Sequence, residues 1–211
     1  MKTQIWLLPT RIFHWFLAIG FALAWFSGDF EYIRNLHYAF GAFVGALLFL
    51  RMLYGLFGPA YSRFSDFPVG IRQQLEYLRS FAGKIKEYAG HNPVASVVMI
   101  FILLAGTGSA VTGYLYYSAL VKAGGAVTSL PIGNVHHVFS VFFLILVGFH
   151  LVGIVTDTLV RKDAGNLRSI FTGYKSVPVA EVKLTLFQKV FAVLWLVLPF
   201  LFFYLAYRLP V

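Results

Sequence analysis

The sequence predicts an all-α integral membrane protein with five transmembrane helices, and three observations predict it. Of 211 residues, 59% are hydrophobic and only 12% are charged. Apolar stretches long enough to cross ~30 Å of hydrocarbon at ~1.5 Å per residue recur along the chain. The segments between them hold nearly all the charge. A water-soluble globule does not have this composition. In lipid each crossing segment must satisfy its own backbone hydrogen bonds, which a helix does.

The spans fall at about residues 12–28, 36–57, 93–117, 135–156 and 187–207. The first begins at Arg11 and His14 without a cleavage-site pattern, so it reads as a retained helix and not a removed signal. The connection 58–92 is long. Its apolar positions Ile71, Leu75, Leu78 and Phe81, with charges between, suit an amphipathic helix on the membrane surface. Asn92-Pro93 opens the third span in a normal way, Asn as the cap and Pro at the first helical position. Tyr114, Tyr116, Tyr117 and the tryptophans near helix ends form the aromatic belt expected at membrane interfaces.

Five crossings put the termini on opposite sides. With the N-terminus inside, the inner side receives Lys2, Arg11, Arg51, Arg63, Arg72, Arg79, Lys84, Lys86, Arg161, Lys162, Arg168, Lys175, Lys183 and Lys189. The outer side keeps only Arg34, Lys122 and Arg208, so basic residues orient the chain N-in. The same distribution accounts for the net charge of +9 without a nucleic-acid partner. Cysteine is absent. That excludes disulfides, thiolate metal sites and the covalent attachment of c-type haem.

The six histidines carry the functional information. His14 lies at the inner end of the first span and His150 toward the inner end of the fourth. His37 starts the second span at the outer side, where His136 and His137 start the fourth. Two histidines thus meet at each membrane level. At ~100° per residue, positions fourteen apart lie about 40° from one another, so His136 and His150 share a face. The thirteen-residue step from His137 leaves about 140° and turns that side chain elsewhere. His37 and Arg51 are also fourteen apart. Arg51 is therefore expected to face the interior near the inner level, where a guanidinium needs an anionic partner such as a haem propionate.

Two imidazoles per level are a full axial set for a haem iron, but a poor tetrahedral zinc site without a carboxylate or thiolate. With both axial positions filled, a haem can only change oxidation state, so the chemistry is electron relay. Sites fourteen residues apart on one helix are ~21 Å apart along its axis, a spacing that suits transfer across a membrane. Gly41 and Gly45 follow His37 at steps of four and either make room for a flat macrocycle or form a small-residue helix seam.

The residues also carry a resemblance. Pro9-Thr10-Arg11-Ile12-Phe13-His14-Trp15, His37 with Gly41 and Arg51, Arg63-Phe64-Ser65-Asp66-Phe67, Gly90-His91-Asn92-Pro93, Val135-His136, His150 and Phe171-Thr172-Gly173-Tyr174-Lys175 occur in that order over residues 5–176. In this the chain resembles the bacterial cytochrome b561 and nickel–iron hydrogenase cytochrome b family, with Arg63–Phe67 closer to the b561 branch. The resemblance implies a four-helix haem-binding transmembrane bundle over residues 1–176 in the bacterial inner membrane. It implies two haem b, with His14 and His150 on the inner iron and His37 and His136 on the outer.

It further implies exchange with the quinone pool, as quinone or quinol oxidation–reduction, on behalf of a c-type cytochrome or an oxidoreductase subunit such as a hydrogenase. Arg51 and Arg11 become candidate propionate partners, and His91 and Asn92 candidate propionate or quinone contacts. The chain departs from the family's four crossings in residues 177–211, whose fifth helix has three roles open: partner docking, contact in a homo-oligomer, or facing lipid. Two other readings of the residues stand beside this one. They are a haem-free transporter or proton relay lined by the histidines and Arg51, and a scaffold that anchors a soluble oxidoreductase.

Overall fold

The computed structural model describes residues 2–83, 86–122, 131–161 and 166–209. Lys84, Lys162 and the side chain of Arg161, counted above on the inner side, lie outside the described residues. The chain opens with strand β1 (Thr3–Gln4), followed by helices α1 (Leu8–Ser27), α2 (Arg34–Phe57), α3 (Ile71–Ser80), α4 (Pro93–Lys122), α5 (Pro131–Arg161) and α6 (Asn166–Thr172). Strand β2 (Tyr174–Lys175) and helix α7 (Leu186–Tyr207) complete it. Among the described residues α1, α2, α4, α5 and α7 are the five helices long and apolar enough to cross a membrane.

The expected spans are correct in number and order, but α4 and α5 run past the expected ends, to Lys122 and back to Pro131. Hydropathy locates only the apolar middle of a span. The backbone ladder continues through interfacial polar residues because a helix leaves fewer unpaired carbonyls than any alternative there. The connection 58–92 contains a helix as expected, confined to the ten residues of α3. Ile71, Leu75, Leu78 and Phe81 are exposed while Tyr77 is buried, the ring of Phe81 lying edge-on to it at 5.3 Å.

Helix α2 is the axis of the bundle, with α1, α4 and α7 packed along it and α5 packed along α4. One apolar core joins Val44 and Leu48 of α2 to Ile102 and Leu103 of α4 and Phe143 and Leu146 of α5. A second joins Phe13 of α1, Phe43, Leu47 and Tyr54 of α2, and Trp195 of α7. At Gly45 the α2–α4 approach is so close that a Cβ would stand 2.8 Å from the Cβ of Ala110, the small-residue seam by which helices associate in lipid.

The fifth helix is part of the fold and not simply lipid-facing bulk. Thr185 and Gln188 form a capping box at its start. Gln188 Nε2 also donates to Phe57 O at 2.9 Å, pairing one of the carbonyls that the end of α2 leaves open. Trp195 is fully buried, and its Nε1 donates to Leu47 O at 3.2 Å. The end of the bundle that carries the N-terminus is tied by a strap. Strand β1 pairs antiparallel with β2, Thr3 opposite Lys175, and the amides of Ile5 and Trp6 both donate to Gly173 O. Gly173 adopts φ +88, where a Cβ would lie 2.7 Å from Trp6 O, so only glycine fits this turn.

Trp195→Ala is expected to destabilise the detergent-solubilised protein by about 3 kcal/mol, the lower end for a buried Trp. Lipid tails replace the apolar contact more readily than they replace packing and the indole hydrogen bond. Loss of monodisperse protein on heating measures it, and an unchanged profile would show that α7 does not brace α2.

Candidate functional site

Helix periodicity brings the histidines into two pairs, one at each end of the bundle. At the end that the charge distribution is expected to place outside, called the outer level, His37 of α2 and His136 of α5 face each other with ring centroids 6.1 Å apart. At the inner level His14 of α1 and His150 of α5 stand 6.2 Å apart. His137, one residue from His136, is exposed, as the angular step of thirteen requires. Two imidazoles bound from opposite sides of one metal at ~2 Å per bond bring their ring centres to about 6 Å. Both pairs have that separation. Among the described residues no third His, Asp or Glu joins either pair, so each is a two-ligand set.

The outer rings are held by one edge. His37 Nδ1 lies 2.8 Å from Ala24 O on α1, and His136 Nδ1 lies 2.9 Å from Ser109 O on α4. A carbonyl only accepts, so each Nδ1 carries the proton and donates, and each Nε2 keeps its lone pair. That tautomer is the one a histidine adopts when Nε2 serves a metal and Nδ1–H is fixed by its surroundings. The seat of His136 depends on Gly113, where a Cβ would stand 3.0 Å from the ring's Cε1. Ser140, one turn beyond His136, shares a 2.7 Å hydroxyl hydrogen bond with Ser109 and donates to His136 O at 2.8 Å. Between the levels the rings of Phe21 and Phe143 meet at 4.5 Å, Phe143 lying seven residues from both histidines of its helix. This layer is apolar, with Phe143 buried and Phe21 partly so.

The inner end gathers polar groups. Arg51 is buried, its Nη2 donating to Ser62 O at 3.0 Å and its guanidinium lying 5.4 Å from the centroid of Phe64. Its Nη1 has no partner among the described residues, and neither do the buried Nε of Arg11 and Nδ1 of His14. Arg11 Nη1 donates to Phe171 O, which ties α1 to the end of α6. Such orphaned buried polar atoms, the arginine N–H donors above all, are rare unless a ligand or water completes them.

The other expected site residues divide. A Cβ at Gly41 would meet nothing within 4 Å, so this position does leave room beside His37, whereas Gly45 is taken up by the Ala110 contact. Asn92 Oδ1 accepts from Ala95 N at 2.8 Å, the capping role open to it in the sequence, which leaves the Nδ2 donors of the same side chain uncommitted to that cap. His91 lies between the rings of Trp6 and Phe67, 4.9 Å from each, with Nδ1 buried and unpartnered among the described residues. The residue as a whole is only half-buried, but its imidazole lies on the sheltered side. Burial first, then the positive charges of Arg51 and Lys175, push its pKa down to about 3. It is neutral at ordinary pH.

Sequence reasoning missed the groups that seat these side chains. Ala24 and Ser109 act through backbone carbonyls, which carry no residue signature. Ser62, Trp6 and Phe67 come from loops whose path the sequence does not reveal. Ser140 was within reach, since a Ser one turn from a histidine on an interior face is a recognisable partner.

The sequence profile of the family described as "Prokaryotic cytochrome b561" matches residues 5–173. Two curated relatives, each a "Probable Ni/Fe-hydrogenase 1 B-type cytochrome subunit" from Escherichia coli (strain K12) and from Escherichia coli O157:H7, are similar to this chain. Each is 25% identical over 136 residues, which is 52% of this chain and 58% of the relative. The chain thus matches little more than half the length of these relatives. No solved structure matches significantly.

The depressed His91 has a consequence for acid stability. Above about pH 6.5 His91 is neutral folded and unfolded and contributes no pH dependence. Below it the unfolded chain binds a proton that the folded chain refuses until about pH 3, so stability falls across that window. His91→Asn is expected to flatten part of this acid decline while leaving the curve above pH ~6.5 parallel to the parent. Thermal midpoints measured from neutral to acid pH test it, and identical slopes in the two proteins would refute it.

Proposed function

The chain belongs to the prokaryotic cytochrome b561 family, and on that premise we propose that it is a dihaem cytochrome relaying electrons across the bilayer between the quinone pool and a redox partner. That it is a membrane b-type cytochrome follows from the family; the two sites, their ligands and the partners are our reading. The observation that carries it is the two histidine pairs, each with the ring separation that one bis-imidazole iron requires. Bound haem supplies one-electron exchange and nothing else when both axial positions are filled.

The chain's own residues do the rest. His14 with His150, and His37 with His136, would hold the irons, the outer pair oriented by Ala24 O and Ser109 O. Arg51 and Arg11 keep buried N–H groups for the haem carboxylates at the inner end. Gly41 leaves space for a planar ring, and the Phe21–Phe143 layer keeps water and protons out of the path. His91, neutral and beside Trp6 and Phe67, is the inner candidate for a quinone headgroup or a propionate.

Residues 1–176 form the electron-transfer unit in this reading, and 177–211 contribute the α7 brace. The basic ends of the helices face the cytoplasm and the chain lies in the bacterial inner membrane. A periplasmic c-type cytochrome is the partner we favour. The names of the similar Escherichia coli proteins favour a second reading, a membrane cytochrome subunit serving a nickel–iron hydrogenase. Reduction of the cytochrome by hydrogen in membranes that contain a hydrogenase would select it.

Protein expressed with haem available is expected to carry two haem b per chain by pyridine haemochrome. His14→Ala and His37→Ala are each expected to lose one and keep the other, by the same assay and by reduced visible spectra. Retention of both in either variant would reject the pairing.

A further inference from the structure

The two histidine pairs differ in what holds them. We propose that this difference gives the inner His14–His150 site the higher reduction potential and the outer His37–His136 site the lower, so that an electron shared between them rests at the inner level. The inference depends on the dihaem reading above and gives it a direction.

Two independent features act with the same sign. The first is hydrogen bonding to the ligands. Both outer imidazoles donate Nδ1–H to a backbone carbonyl, at 2.8 and 2.9 Å. Such a bond pushes electron density onto Nε2, makes it the stronger donor, and stabilises ferric over ferrous iron. At the inner level His14 Nδ1 is buried with no acceptor among the described residues, so His14 is the weaker donor.

The second feature is charge. Reduction adds one negative charge to a site, and a nearby cation favours it most where little water screens the pair. The inner end holds Arg51, only 4% exposed, with Nη1 free of partners among the described residues. The described outer residues include no buried cation. The side chain of Arg34 is 43% exposed and paired with Glu31 at 3.1 Å, and Lys122 and Arg208 are exposed. Haem carboxylates are thus offset by a buried cation at one level only.

The exchange is balanced within the protein. The outer iron passes from ferrous to ferric as the inner passes from ferric to ferrous, with no atom transferred. The path crosses the Phe21–Phe143 layer, which holds no titratable group to trap charge. A one-electron reductant at the outer surface would therefore load the inner, basic side of the membrane.

The test is a spectroelectrochemical titration of the full-length, haem-loaded protein beside single-site variants. His37→Ala, with His136→Ala as the second choice if it does not insert, leaves the inner site. His14→Ala, with His150→Ala as the second choice, leaves the outer one. The inner-site protein is expected to keep the higher of the two parent potentials and the outer-site protein the lower. Gly113→Ala, which crowds His136 away from Ser109 O, is expected to raise the lower potential and leave the higher in place. Arg51→Gln is expected to lower the higher one. Two haems with the assignments reversed, or with equal potentials in the single-site proteins, would overturn this inference and leave the dihaem reading standing. Fewer than two haems in the parent protein would overturn both.

Discussion

A step of fourteen residues is close to four turns of α-helix, and the architecture of this protein depends on α5 taking that step between His136 and His150. One rigid helix thereby presents an imidazole at each end of the bundle on the same face. The partners come from different helices, His14 from α1 and His37 from α2, because antiparallel neighbours begin at opposite membrane surfaces. Had the histidines been thirteen apart, as His137 is from His150, one of them would have turned out to lipid. His137 is exposed for that reason.

The remaining packing protects this register. Helix α2 is gripped from three sides, by α1, α4 and α7. In lipid, where burying apolar surface gains little, close approach and buried hydrogen bonds must do the holding. Gly45 against Ala110 and the Trp195 indole on Leu47 O are instances of each. At the inner surface the β1–β2 strap and the Lys175 Nζ bond to Gly90 O at 2.9 Å tie the start of α1 to the segments flanking α4 and α6. The strap holds His14 at the level of His150 while Arg51 and His91 stay out of water.

Much of this was legible in the sequence, because helix and bilayer impose simple periods. The number of spans, the turn of His136 rather than His137 into the bundle and the inward turn of Arg51 all follow from hydropathy, rise and rotation. What was not legible has a common physical cause. Helix ends beyond the apolar core, the acceptors at Ala24 and Ser109 and the loop residue Ser62 act through backbone atoms, and any side chain could have stood there. Gly45 and Asn92 each had two readings in the sequence, and the packing of Gly45 on Ala110 and the cap of Asn92 on Ala95 are contacts that spacing alone does not reveal. The role of α7 was open because hydropathy does not tell a lipid-facing helix from one that also packs on protein.

Electron paramagnetic resonance of the oxidised, purified protein tests the central claim most directly, because it reads the axial ligands of each iron. Two low-spin ferric signals integrating to two per chain, with no high-spin component, are predicted for irons held between His14 and His150 and between His37 and His136. A high-spin signal would mean an open axial position, and a single low-spin signal at one per chain would mean that only one pair binds. Either result would contradict the account.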